Sequence, residues 1–114
     1  MYGDFSQLYD QLIYDIDYDA YAQLILGELA ALGFEGGRLL EVGCGTGNLT
    51  ARLAPEVNVL YGIDLSQDML NVAWAKLADR PNVQLSLQDM RKMQVPQVEG
   101  CVSTLDTFNY VDEA

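Results

Sequence analysis

The stretch Leu39-Leu40-Glu41-Val42-Gly43-Cys44-Gly45-Thr46-Gly47-Asn48-Leu49 constrains the fold more than any other part of the chain. Its first half is a short apolar run and its second half alternates glycines. That pattern predicts a buried strand running into a tight loop that opens a helix. Glycine admits backbone angles closed to other residues and leaves room where a Cβ would collide with a bound group. A helix start behind such a loop carries unpaired N–H groups, so the loop is expected to hold a ligand against its backbone.

The flanking sequence supplies the elements around this loop. Within residues 2–18, Phe5, Leu8, Tyr9, Leu12 and Ile13 recur at helical spacing, which predicts a short helix over a neighbouring surface. Asp17 or Asp19 then caps a second helix running to Leu32, with Tyr21, Ile25, Leu29 and Leu32 on one face and Gly33 as its stop. Gly36-Gly37 turns the chain into a first strand, Arg38 to Val42. Residues 48–53 read as a short helix that Pro55 ends, with Leu49 and Leu53 on one side. Residues 57–64 are nearly continuous apolar and β-branched or aromatic, as in a strand covered on both faces.

Ser66 caps the next helix, where Asp68 occupies the first turn and Leu70, Ala73, Trp74 and Leu77 share a face. Trp74 and Met69 read most simply as core. Val83 to Leu87 alternates with period two, which predicts a sheet edge with one wetter face. Residues 90–99 read as loop or a turn of helix, and Cys101 to Leu105 as a fourth strand. Strands alternating with helices predict a parallel sheet, right-handed crossovers, and ligands at the carboxyl ends of the strands.

Composition narrows the partners. The 114 residues, half of them apolar, are enough for one domain with a real core. Six basic residues against 17 acidic ones, with no His, give a formal net charge of -11, which repels polyanions and excludes a nucleic-acid surface. No apolar run approaches the roughly 20 residues of a membrane span, and the N-terminus lacks a signal-peptide pattern, so a soluble cytoplasmic protein is expected. Cys44 and Cys101 have neither metal-type nor disulfide-rich spacing, so free thiols and no metal site are expected.

Three successive predicted strands therefore end at one sheet edge in Gly43-x-Gly45-x-Gly47, in Asp64 and in Asp89. A glycine loop with acids at the tips of the next two strands describes a nucleoside pocket. Asp64 is placed to accept from both ribose hydroxyls, each charge-assisted bond contributing about 1.5–3 kcal/mol, and Asp89 to accept from an exocyclic adenine amine. Duller readings stand beside these: Glu41 as a loop brace, Cys44 as a small filler, Asp64 as a strand terminator.

Glu41-x-Gly43-x-Gly45-x-Gly47, Asp64-Leu65-Ser66-x-x-Met69-Leu70, Gln88-Asp89-Met90 and Leu105-Asp106-x-x-Asn109-Tyr110 together resemble the successive signatures of class I methyltransferases that use S-adenosylmethionine. The likeness runs over about residues 39–110, and Tyr9-Asp10 is similar to the N-terminal lid of small bacterial members. It implies an α/β fold, a Rossmann-like doubly wound parallel sheet in order 3-2-1-4 with N-terminal helices. One domain then spans 1–114, with 1–37 as helical lid and first helix and 38–114 as the cofactor-binding core.

The same resemblance implies S-adenosylmethionine as cofactor, S-adenosylhomocysteine as product, and methyl transfer to an acceptor that the sequence does not identify. Gly43, Cys44, Gly45 and Gly47 would contact the methionine end, with Glu41 behind them supporting the loop or the ammonium. Asp64 would hold the ribose, Leu65 would flank the adenine, Met69 would line the pocket wall, and Asp89 with the Met90 backbone would read the adenine amine. Tyr9 would cover the sulfonium. Asp106, Asn109 and Tyr110 read equally as a turn after the fourth strand or as groups beside the reacting methyl. No catalytic base is assigned, because a sulfonium is already an activated donor that needs a nucleophile in line and water excluded.

Family members continue through three more strands, whereas this sequence stops at Ala114. The resemblance thus implies a fragment or engineered half, truncated after about four strands. Its cofactor crevice would lie between strands one and four, and strand four would be an exposed apolar edge open to homodimerisation or swapping. Two rivals remain. A nucleotide-dependent oxidoreductase wants Gly-x-Gly-x-x-Gly, whereas Asn48 stands at the position of its last glycine. A module that holds the cofactor without turnover is the other.

Overall fold

The computed structural model describes residues 17–103 and the backbone of residues 108–111. The expected helix within residues 2–18, the Tyr9-Asp10 lid and Asp106 lie outside the described residues. Asp17 caps helix α1 (Tyr18–Ala31), its carboxylate accepting from the Ala20 amide at 3.0 Å. Gly33 ends α1 at φ 105°, a left-handed angle, while the Gly33 amide donates to the Ala30 carbonyl and the Phe34 amide to that of Leu29. Strand β1 (Arg38–Val42) follows, then α2 (Asn48–Leu53), a 3-10 turn over Ala54–Glu56 that holds Pro55, and β2 (Val59–Asp64). Helix α3 (Gln67–Lys76) has Ser66 as its cap, the hydroxyl accepting from the Met69 amide at 3.1 Å. Strand β3 (Val83–Leu87), a 3-10 turn (Met90–Lys92), β4 (Gly100–Ser103) and β5 (Phe108–Val111) complete the order.

The sheet runs β3-β2-β1-β4-β5, its first four strands parallel, as the 3-2-1-4 order requires. Leu39 sits between Leu60 and Gly100, so the C-terminal ends of β1, β2 and β3 reach one edge together. On one face Leu39, Leu60 and Val102 pack under Ala22, Ile25 and Leu29 of α1 and Leu49 and Leu53 of α2. On the other, Leu40, Val42, Ile63 and Cys101 take cover from Val95 and Val98 of the segment before β4. Alternation along β1 thereby puts Glu41 on the helix-covered face and Val42 on the opposite one.

Three expectations are corrected here. Strand β4 is not an exposed edge: β5 pairs with it antiparallel, Cys101 opposite Tyr110 and Val102 opposite Asn109, so homodimerisation or swapping through a bare fourth strand loses its basis. A parallel return needs a crossover of roughly a dozen residues or more, and only four separate β4 from β5, so the chain doubles back. Asn109 and Tyr110 accordingly belong to a strand rather than a turn. Leu32 and Trp74 are 56% and 45% exposed: Leu32 is the cap residue just past the last turn of α1, and Trp74 follows Ala73 on α3, so it turns about 100° away from the buried Leu70-Ala73-Leu77 stripe.

Gly62, in the middle of β2, is a packing requirement. A Cβ there would stand 2.7 Å from Leu85 Cδ2 and 3.2 Å from Cys44 Sγ. Gly62→Ala is expected to cost about 1–3 kcal/mol in a urea denaturation, with Cys44 and the glycine loop displaced. An unchanged midpoint would show that Leu85 moves aside freely.

Candidate functional site

The ends of three strands are tied together by backbone and carboxylate. The Gly43 and Cys44 amides both donate to the Ile63 carbonyl at 2.9 and 3.1 Å, which closes the β1 tip onto β2. The Gly45 amide donates to Asp64 Oδ2 at 2.8 Å, and the Ser66 amide to Asp64 Oδ1 at 2.9 Å. The Gln88 amide donates to the Asp64 carbonyl at 3.1 Å, which fastens the end of β3 to the same point. Asp64 is therefore the knot of the rim.

A cavity of about 100 Å³ opens at this rim, lined by Val42, Gly43, Ile63, Asp64, Leu65, Gln88 and Met90. Small-molecule pockets start at roughly 300 Å³, so the enclosed part takes one flat ring and leaves the rest of a larger ligand along the open glycine loop. The walls suit such a ring: Val42, Ile63, Leu65 and Met90 are apolar, and Leu65 is 70% exposed at the mouth. The cavity stands over the tips of β1, β2 and β3 rather than between β1 and β4, and residues 104–107 after β4 lie outside the described residues.

The glycine loop owes its shape to positive φ at Gly43 (78°), Gly45 (58°) and Gly47 (88°). A Cβ at Gly45 would meet nothing within 4 Å, so the loop presents bare backbone to open space. Gly47 is closed in instead: it precedes α2, and a Cβ there would press on Leu77, which caps the end of α3, and on Ala73 of α3 at 3.0 and 3.3 Å. Its role is to let two helices meet under the loop. Cys44 is buried against Gly62, and its thiol is pushed well above the usual range by burial first, then by the negative charges of Glu41 and Asp64. It is therefore a neutral filler and not a nucleophile.

Glu41 lies behind the loop, 1% exposed. Thr50 Oγ1 of α2 donates to Glu41 Oε1 at 2.6 Å, while Oε2 is buried with no hydrogen-bond partner among the described residues. Burial pushes its pKa up to about 7, and Asp64 adds to the rise against the lowering effect of the Thr50 bond.

Of the residues expected at the site, Gly43, Asp64, Leu65 and Met90 line one cavity, and Gly45 is bonded to it through Asp64. Met69 is half-buried on α3 and is not part of the lining. Asp89 also stays out of the lining: it caps the turn that follows it, and Arg91 holds both of its carboxylate oxygens, at 3.1 and 2.8 Å. The Arg91 guanidinium and backbone amide draw the Asp89 pKa down to about 2. Val42, Ile63 and Gln88 are additional lining residues. Val42 and Ile63 were legible as the last apolar residues before two polar tips. The signal for Gln88 was its place before Asp89 at a strand end, and its side chain is fixed to Ser86 Oγ and to the Gln94 backbone.

Comparison with known proteins adds a second line. A protein-family model described as a methyltransferase domain matches residues 39–114. A Geobacillus sp. (strain WCH70) protein named "Putative methyltransferase" is 36% identical over 115 residues, covering 98% of this chain and 47% of its own length. A solved S-adenosylmethionine-dependent methyltransferase from Clostridium acetobutylicum ATCC 824 superposes with a TM-score of 0.75 at 30% identity, over 90% of this chain and 43% of that one. The S-adenosylmethionine-bound amino pentose methyltransferase CalS10 from Micromonospora echinaspora does so at 0.75 and 25% identity, over 84% and 41%. The chain thus spans about half the length of the curated relatives it matches. Among the described residues no helix is long and apolar enough to cross a membrane. With its strand order, rim and family match in agreement, the chain belongs to the class I S-adenosylmethionine-dependent methyltransferases.

Proposed function

We propose that this chain carries the S-adenosylmethionine-binding half of a methyltransferase, the cofactor lying across the strand-tip rim. The observation that carries the reading is the Gly45–Asp64 bond, which puts the bare glycine backbone and a strand-tip carboxylate on one edge of the cavity. The residues fit the group. Each Asp64 oxygen accepts one amide and keeps a further lone-pair site, so two ribose hydroxyls find acceptors without breaking the rim. Leu65 and Met90 flank a slot sized for the adenine, and the open space over Gly45 takes the methionine portion. Asp89 keeps the adenine amine as its proposed partner, because its Oδ2 accepts one bond, from the Arg91 guanidinium, and keeps a further lone-pair site.

When bound, S-adenosylmethionine supplies an activated methyl whose sulfonium becomes the thioether of S-adenosylhomocysteine. The chain's own residues bind, orient and shield it, and the acceptor and any base stay unassigned. Calorimetric titration is expected to show one adenosylmethionine and one adenosylhomocysteine bound per chain, with reduced nicotinamide dinucleotide binding weaker or not at all. Preferential nicotinamide binding would restore the oxidoreductase reading. Binding without transfer of labelled methyl to a panel of candidate amines, hydroxyls and thiols would favour the holding module.

A further inference from the structure

The binding scheme leaves Glu41 unbalanced. Its side chain is buried, with the residue 1% exposed and one position before the cavity-lining Val42, and among the described residues its carboxyl takes one hydrogen bond, from Thr50. Oε2 is buried and has no hydrogen-bond partner among the described residues. A buried carboxylate in that state costs far more than the neutral acid, whose proton spreads no charge into an apolar surround. The groups acting on it from neighbouring elements are Thr50 of α2, Asp64 at the tip of β2 and Cys44 of the loop. Asp64 raises its proton affinity and Cys44 is itself neutral, so among the described residues nothing positive compensates an ionised Glu41. Charges in such low-dielectric surroundings feel one another strongly across a single layer of backbone.

We propose that Glu41 exchanges a proton for the cofactor's positive charge: neutral in the empty chain, it ionises when a cationic ligand is laid on the glycine loop. The inference rests on the binding reading above. In the step the carboxyl O–H bond breaks, the electron pair stays on the oxygen, and the proton leaves to buffer. The ligand's positive charge then offsets the buried anion, so protons and ligand compete and binding tightens as the pH rises toward neutrality.

Calorimetry of the native chain at pH 6.5, in two buffers of different ionisation enthalpy, counts the protons. The ligand's own α-amine is already charged at this pH, so it contributes none. With Glu41 titrating near 7 when empty, adenosylmethionine is expected to release about 0.7 proton per molecule bound. Adenosine, which fills the same slot without a charge, is expected to release close to none. Glu41→Gln is expected to bind adenosylmethionine with no buffer-dependent heat, and the comparison of the two ligands on the native chain decides the matter if that variant does not fold. Adenosylmethionine binding without proton release, or equal release by adenosine, overturns the exchange and leaves the binding reading standing. Absence of binding by both ligands ends the binding reading and this inference with it.

Discussion

Asp64→Ala is expected to weaken adenosylmethionine binding roughly 10- to 150-fold, the loss of at least one charge-assisted hydrogen bond of about 1.5–3 kcal/mol. The sequence alone suggests a strand-tip acid whose removal spares the fold. The geometry predicts more, because both carboxylate oxygens already accept backbone amides, from Gly45 at 2.8 Å and Ser66 at 2.9 Å. Alanine leaves those two donors to water and frees the glycine loop, so a fall of about 1–3 kcal/mol in unfolding free energy is expected beside the affinity loss. Asp64→Asn separates the contributions. One amide oxygen still accepts from one backbone donor, while its NH2 confronts the other, so the loop stays half-tied and the ribose keeps one acceptor. Calorimetric affinity and urea denaturation on both variants check the order native, Asn, Ala. A folded Asp64→Ala chain of unchanged affinity would remove Asp64 from the site.

That correction shows where the sequence stopped being readable. The strand, loop and helix from Arg38 to Leu53 were legible because alternating glycines after an apolar run admit few backbone solutions, and positive φ at Gly43, Gly45 and Gly47 is what those solutions use. The shared rim was legible from topology, since parallel strands deliver their C-terminal ends together. Contacts set by side-chain direction were not. Arg91 reaches back to Asp89 only because a 3-10 turn forms over Met90–Lys92, in a stretch whose polar composition gives no period. The partner of Glu41 depends on α2 bringing Thr50 over β1, and its orphaned oxygen depends on what α2 does not bring. The reversal at β5 followed from a connection length, visible in the sequence once the ends of both strands are fixed.

Glu41 should also set a pH dependence of stability opposite in sense to that of the paired surface acids. In the unfolded chain it titrates near 4.5, and in the fold near 7, so between those values the folded state holds the extra proton. Its contribution is therefore complete below pH 4.5 and is lost as the pH rises through 7, a fall of about 3 kcal/mol if the full displacement is realised. Asp89 and Glu99, held low by Arg91 and Arg38, act the other way, and their stabilisation is lost only on acidification below the ordinary carboxylate range. The two windows do not overlap. Repulsion among the 17 acidic residues adds a slope common to any variant, which a difference measurement removes. Glu41→Gln carries no titrating group, and whatever its amide costs beside Thr50 is the same at every pH. Urea denaturation of both chains from pH 4.5 to 8 is thus expected to show the native curve falling about 3 kcal/mol relative to the variant, most steeply between pH 5 and 7. Parallel curves would mean that Glu41 ionises like a surface acid despite its burial. Saturating adenosylmethionine is then expected to raise the native curve more at pH 8 than at pH 5, because at the higher pH the positive ligand meets a buried anion that nothing else among the described residues offsets.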